Sequence, residues 1–314
     1  MTDMAVVIVV ENLVKRYGKL AAVSGISFEV QKGEVFGLLG ENGAGKTTTL
    51  EIIEGLRRPT SGIVKVLGHD VAREMSQIKT RIGVQLQSSA YYSYLTLREI
   101  LELFGSFYPK YLPADKLLKS VNLLEKAKSY VTQLSGGQRQ RFSIVASLVN
   151  DPQIVFLDEP TTGLDPLARR NLWELIAQIK SQGKTIVLTT HYMEEAELLC
   201  DRVAIMDKGK IIALDKTHKL VEQASKPFKV SFISDRTDTV ASQLKKIGTL
   251  TELGGKTDHF EITLATAASL HKALDLIRTL QPASLTVTRA SLEDVFIEKT
   301  GKTITEEENA PVRR

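Results

Sequence analysis

The residues Gly40-Glu41-Asn42-Gly43-Ala44-Gly45-Lys46-Thr47 carry the spacing G-x-x-x-x-G-K-[ST]. Small residues at these positions let a backbone curl around phosphates, so that its N–H groups and a following helix N-terminus face the anion. Lys46 is placed to reach the β- and γ-phosphates of a nucleoside triphosphate, and the Thr47 hydroxyl to ligate Mg²⁺. The context agrees, since the apolar run 35–39 reads as a strand before the loop and Thr48 opens a helical run at 48–53. Alone, the motif does not separate a kinase, a GTPase, a helicase or a transport ATPase.

Two carboxylates, Asp158 and Glu159, close the apolar run 154–157. A buried strand ending there delivers both to the C-terminal edge of a sheet, where ligands sit in open α/β folds. Asp158 is then a Mg²⁺ ligand, direct or through water, and Glu159 the base that orients and deprotonates an attacking water. A kinase, which uses a substrate hydroxyl, needs no such glutamate. A third group, Ser135-Gly136-Gly137-Gln138, precedes a helical run at 139–149. Its hydroxyl, free N–H groups and helix dipole make an anion site, although Ser135 alone also reads as a simple helix cap. This group lies 89 residues after Lys46. Two phosphate sites for one nucleotide make sense if the second belongs to another copy of the chain.

The elements that must position these groups alternate. Runs 6–10, 35–39, 154–157, 185–188 and 203–206 read as strands, and segments such as 167–182 as helices. This predicts an α/β fold with a mainly parallel sheet covered on both faces. Beyond about residue 220 the pattern changes. Strands at 229–233, 249–253, 260–264 and 284–289 and helices at 239–247 and 268–280, with a turn at Gly254-Gly255, give the order β-α-β-β-α-β. That order predicts a small split-βαβ sandwich as a second domain.

The chain has 314 residues, room for two domains, with 43% hydrophobic and 25% charged residues, as in ordinary globular proteins. The longest apolar run, residues 4–10, is far short of the about 20 residues a spanning helix needs. No secretory signal is expected, because Asp3 stands where positive charge belongs. One cysteine, Cys200, excludes an intrachain disulfide and fits a reducing cytoplasm. A net charge of +4, from 41 Lys+Arg against 37 Asp+Glu, gives no reason to expect nucleic acid as a partner. From Glu222 onward the charges balance, 13 against 13, and the polar tail 305–314 is expected to fray.

From about Val6 to Leu220 the chain resembles the ATP-binding-cassette (ABC) ATPases, the nucleotide-binding subunits of ABC transporters. The loop 40–47 resembles their Walker A, 134–138 their signature, 154–159 their Walker B and Gly163-Leu164-Asp165 their D-loop. His191, 32 residues beyond Glu159, stands where the family's switch histidine belongs. Tyr17 resembles the aromatic that stacks on adenine, and Gln87 the Q-loop glutamine that touches Mg²⁺ and senses the γ-phosphate. Asp165-Pro166 also suits a helix start. The resemblance implies a P-loop ABC ATPase domain at 1–220, with an antiparallel β part and a helical subdomain at about 88–150. An accessory α+β domain follows at 221–304. It implies ATP and Mg²⁺ as ligands, and ATP held between the cradle of one copy and Ser135–Gln138 of a second.

The stretches 191–197 and 291–296 resemble the drug-exporter branch, whose daunorubicin-resistance-type members pair with integral-membrane ABC-2 permeases. Such a subunit is cytoplasmic and held on the membrane's inner face by the permease. The alternative is an ABC ATPase acting on ribosomes or DNA. Such proteins usually carry two cassettes or a long coiled coil, whereas this chain has one P-loop, one signature and no sustained heptads. The aromatics of 88–112, Tyr91, Tyr92, Tyr94, Phe104, Phe107, Tyr108 and Tyr111, read either as helical-subdomain core or as a surface for the permease.

Overall fold

A computed structural model describes residues 5–86, 91–234, 238–252 and 258–301. Gln87, the turn Gly254-Gly255 and the tail 305–314 lie outside the described residues. The chain divides into two compact units, Met1–Lys216 and Thr217–Arg314.

The strands of the first unit are β1 (Val6–Tyr17), β2 (Leu20–Gln31), β3 (Val35–Leu39), β4 (Ser61–Val66), β5 (His69–Asp70), β6 (Ile82–Gln85), β7 (Ile154–Asp158), β8 (Thr185–Thr190), β9 (Arg202–Asp207) and β10 (Lys210–Lys216). Its helices are α1 (Lys46–Ile53), α2 (Met75–Ile78), α3 (Leu97–Ser106), α4 (Ala114–Ser120), α5 (Gly136–Ala146), α6 (Pro166–Ser181) and α7 (Met193–Leu199).

Strands β3, β7 and β8 are buried at every residue. That is what continuous apolar runs produce when both faces of a sheet are covered. They lie in a six-stranded sheet of order β10-β9-β3-β8-β7-β6. Every neighbouring pair is parallel except β9 and β10. A second, wholly antiparallel sheet has the order β2-β1-β4-β5. Phe28 of β2 stacks on Phe36 of β3 with centroids 5.1 Å apart, so the two sheets share one core. Strand β1 runs seven residues past the 6–10 segment predicted from the sequence. Register shifts between Val10 and Leu13, with Asn12 at φ 47°, break the alternation that marks a strand.

Between β6 and β7, helices α3, α4 and α5 pack on one another, and α5 packs on α6. The helix expected at 139–149 starts and ends three residues earlier, because Ser135 and Gln138 form a capping box that begins it at Gly136. On β3, Gly37 is fixed by a neighbour, since a Cβ there would stand 2.7 Å from Cys200 Sγ. Cys200 is buried, which pushes its thiol well above the ordinary cysteine range.

The second unit holds α8 (Thr217–Glu222), β11 (Phe228–Ile233), α9 (Asp238–Ile247), β12 (Thr249–Glu252), β13 (His259–Leu264), α10 (Ala267–Thr279), β14 (Ser284–Arg289) and α11 (Leu292–Thr300). From β11 to β14 this is β-α-β-β-α-β, in an antiparallel sheet of order β12-β13-β11-β14. Val230, Phe232, Phe260 and Ile262 pack against Leu244 and Ile277 in its own core. The 291–296 stretch is a helix start: Ser291 and Asp294 cap α11, and Leu292, Val295 and Phe296 are buried. Among the described residues no helix is long and apolar enough to cross a membrane.

Candidate functional site

Three adjacent strands assemble the site. β8 lies between β3 and β7, with Leu39 level with Thr190 and Asp158 level with Thr189. The loop 40–45 leaves β3, Glu159 follows β7, and His191 follows β8, so all three groups meet at the sheet's C-terminal edge.

The loop's tightness is set by contacts with backbone. A Cβ on Gly40 would stand 2.4 Å from Met206 O, and one on Gly45, at φ 102°, 2.5 Å from Ala22 O. Only glycine fits either position. Ala44 is buried and donates its N–H to Glu41 O at 3.1 Å, while Asn42 and Gly43 are exposed at the loop's outer edge. Lys46 opens α1 but is only 4% exposed. Its Nζ donates to Gly40 O at 2.8 Å and to Glu41 O at 3.1 Å, and lies 3.4 Å from Glu159 Oε1. Burial pushes this ammonium down, and the charges of Glu159, Asp158 and Glu41 push it back up. Thr47 Oγ1 donates to Asp158 Oδ1 at 3.2 Å, and Thr48 is half-buried on the next position of the helix.

The hydroxyl and carboxylate of Thr47 and Asp158 are hard oxygen donors side by side. This is the donor set that suits Mg²⁺, which takes one or two protein oxygens and completes its shell with water and phosphate. Burial raises the Asp158 carboxyl; hydrogen bonds from Thr189 and Thr47 oppose this. Thr189 is fully buried. Its hydroxyl donates to Asp158 Oδ1 and accepts from Glu159 N at 2.9 Å, fixing both acids at once. Sequence reasoning misses this residue, because the strand it predicts, 185–188, stops one position short of it. A Thr-Thr pair directly before a histidine at a strand end was the available signal.

Glu159 sits at φ 46°, a left-handed conformation uncommon outside glycine. Its Oε2 accepts from Thr162 Oγ1 at 3.2 Å and lies 3.3 Å from His191 Nδ1, off hydrogen-bond angle. Burial pushes the Glu159 carboxyl up, but His191 and Lys46 together outweigh it and bring it down to about 2. The His191 ring rests on Tyr192 with centroids 4.2 Å apart, and Arg169 covers the other ring at 4.2 Å.

The remaining predicted positions stand apart from this cluster in role. Tyr17 ends β1 with its ring 41% exposed and the cations of Lys15 and Arg57 within 5.0 and 5.8 Å. Ser135 and Gln138 are engaged with each other: Gln138 Oε1 accepts from Ser135 N at 3.1 Å and from Lys126 Nζ at 3.2 Å. Gly136 opens onto free space, whereas a Cβ on Gly137 would meet Ala168 Cβ at 3.0 Å. Asp165 caps α6, its Oδ1 accepting from Ala168 N at 2.9 Å. The starts of α5 and α6 therefore abut through Gly137 and Ala168. Gln87 lies outside the described residues; Gln85, before it, is buried and donates to Leu86 O at 2.6 Å.

A separate cavity of about 490 Å³ is lined by Glu54, Met75, Val84, Tyr91, Phe104 and Tyr108 among others. The aromatic stretch divides here. Tyr91 is half-buried against Phe142 and Phe104, while Tyr92, Tyr94, Phe107 and Tyr111 are exposed.

A family profile described as "ABC transporter" matches residues 23–162. The Nod factor export ATP-binding protein I of Ralstonia nicotianae is 37% identical over 308 residues, 93% of each chain. The daunorubicin resistance ATP-binding protein DrrA3 of Streptomyces coeruleorubidus is 36% identical, covering 96% of this chain and 97% of that one. Among solved structures, a dimeric ATP-binding cassette in a post-hydrolysis state with ADP and Pi is 27% identical. It superposes with a TM-score of 0.61 over 67% of this chain and 98% of the other.

Proposed function

The chain belongs to the ABC transporter family of ATP-binding proteins, as the ATP-hydrolysing subunit of an exporter, and from that premise we propose how its residues divide the work. ATP lies in the loop 40–48 with its adenine on Tyr17. Lys46 binds the β- and γ-phosphates, and Thr47 and Asp158, with Gln87, hold Mg²⁺. Bound there, the ion supplies charge neutralisation at the phosphate oxygens. Glu159 orients a water and takes its proton, with Thr189 holding the backbone from which that carboxylate projects. His191 lies beside the same carboxylate oxygen and reaches toward the γ-phosphate.

The other half of each ATP site comes from a second copy. Ser135–Gln138 caps the start of α5, and Gly136 leaves that helix end open to an approaching phosphate. Asp165 stands at the abutting helix start. The solved dimer with ADP and Pi supports this arrangement. Closure of two copies around ATP moves an ABC-2 type permease, and the subunit works on the cytoplasmic face of the membrane through that permease. The relatives named for Nod factor export and daunorubicin resistance support the export direction.

The observation that carries the proposal is the meeting of Lys46, Thr47, Asp158 and Glu159 within 3.4 Å contacts at one sheet edge. The test is purification of the tagged chain from detergent-solubilised membranes. A co-purifying polytopic membrane protein is the expected result. Recovery with ribosomes or DNA, and with no membrane protein, would overturn it.

A further inference from the structure

Behind the catalytic edge lies a buried acid that the chemistry above leaves unused. Glu195 of α7 is fully buried, and its Oε1 accepts from Trp173 Nε1 at 3.1 Å. Burial pushes its carboxyl up; the hydroxyls of Thr190 and Thr161, the indole of Trp173 and the charge of Arg169 draw it back down. Both threonines are buried as well. Yet Glu195 Oε2 and Thr161 Oγ1 complete no hydrogen bond among the described residues. A buried polar atom left unmatched is costly, and native folds keep few of them. Here the two unmatched atoms are complementary: a carboxyl oxygen that lacks a donor faces a hydroxyl that has a proton to give.

The segments around this carboxyl are those that carry the site. Thr161 follows Glu159 by two residues, on a loop that must keep Glu159 at φ 46°. Such a conformation persists only where the surroundings fix it. Thr190 ends β8, directly before His191. Trp173 lies on α6, whose start is capped by Asp165. That helix meets the His191 segment a second time, one turn earlier: Arg169 covers the Tyr192 ring, which rests on His191.

We propose that Glu195 is a positioning residue for ATP hydrolysis: it takes the Thr161 hydroxyl proton on Oε2 and the Trp173 indole proton on Oε1, and so holds the loop bearing Glu159 against the strand end bearing His191 and against α6. The inference rests on Glu159 as the base in the reading above and adds the group that fixes where that base stands. Glu159 Oε2 and His191 Nδ1 are 3.3 Å apart on two separate segments, so their spacing is only as exact as the tie between those segments. Glu195 acts through that tie and meets neither nucleotide nor ion.

The test uses the full chain with Mg²⁺ and ATP, and reads kcat and KM by phosphate release beside the thermal unfolding midpoint. Thr161→Val should lower kcat about tenfold and leave KM within about twofold, because a displaced base slows chemistry without touching the phosphate contacts. Thr161→Ser should run near wild type. Glu195→Met should lose at least as much kcat, and Glu195→Gln, whose amide can still bond both partners, should recover most of it. Adding Thr161→Val to Glu195→Met should cost nothing further, since the bond is already gone. Wild-type kcat in Thr161→Val, equal loss in Thr161→Val and Thr161→Ser, or additive losses in the double variant would each overturn the proposal. If Glu195→Met does not fold, the Thr161 pair decides alone. Glu159→Gln is run beside them: turnover like wild type there removes the base assignment itself, whereas an inactive Glu159→Gln beside a fully active Thr161→Val overturns the positioning role alone.

Discussion

Lys46 Nζ lies 3.4 Å from Glu159 Oε1, and both side chains are buried. The cation proposed to bind phosphate is thus shared with the carboxylate proposed to activate water. With His191 it holds that carboxyl at about 2 against the upward push of burial. A base so acidic accepts a proton poorly. Under the roles proposed above, a phosphate that drew Lys46 toward itself would strip Glu159 of part of its counter-charge and make it more basic.

Glu159→Gln should keep ATP affinity near wild type and lower kcat about a hundredfold or more, because the amide keeps the shape but takes no proton. Lys46→Ala should instead weaken ATP binding, by loss of a charge-assisted phosphate contact. Fluorescent-nucleotide titration beside phosphate release separates the two. Turnover near wild type in Glu159→Gln would remove Glu159 as the base.

The same Glu159→Gln protein should form dimers with ATP and return to monomers with ADP, which lacks the γ-phosphate shared by the two copies. Light scattering reads this directly. A monomer mass unchanged by ATP would argue against Ser135–Gln138 of a second copy completing the site.

Thr189→Val should lower kcat about tenfold while changing ATP affinity little. The isosteric side chain removes one of the two hydroxyls that donate to Asp158 and one of the two acceptors of Glu159 N, leaving Thr47 Oγ1 and the Thr189 carbonyl. Thr189→Ser should restore most of the rate. Equal loss in both variants would assign the effect to packing.

Glu54→Gln should become more stabilising as pH rises. Below about pH 4.5 the carboxyl is protonated in folded and unfolded chains alike and favours neither. Above that, the unfolded chain ionises first, and the folded state loses ground until its own carboxyl ionises near 8. The gap between variant and wild type should approach about 4 kcal/mol by pH 8. Denaturant unfolding at several pH values checks it, and a gap that stays constant with pH would show that Glu54 is not held protonated.

What was legible in the sequence was what local constraint dictates. Gly40 and Gly45 are needed by backbone a few ångströms away, and Lys46 and Thr47 follow them in the chain, so spacing alone marked the cradle. Runs buried on both sides marked β3 and β7 nearly to the residue. The rest depended on distant partners. Thr189 is a residue just past a strand end until β7 lies beside it. Glu54 reads as a polar helix-end residue until the cavity walls close around it. Tyr91 and Tyr94, three residues apart, differ in burial because only the first faces Phe142.

The contact between Gly37 and Cys200 has a practical side. The sulfur fills the space that any side chain at position 37 would claim, so the two positions are locked as a pair, and Gly37→Ala should be tolerated only beside a smaller residue at 200. The same enclosure leaves the chain's single thiol sealed and un-ionised at neutral pH. The natural protein is in effect a cysteine-silent background. One cysteine introduced at exposed Tyr94 or at Gly136 would be the sole reactive handle for a spectroscopic label, with no native residue removed first.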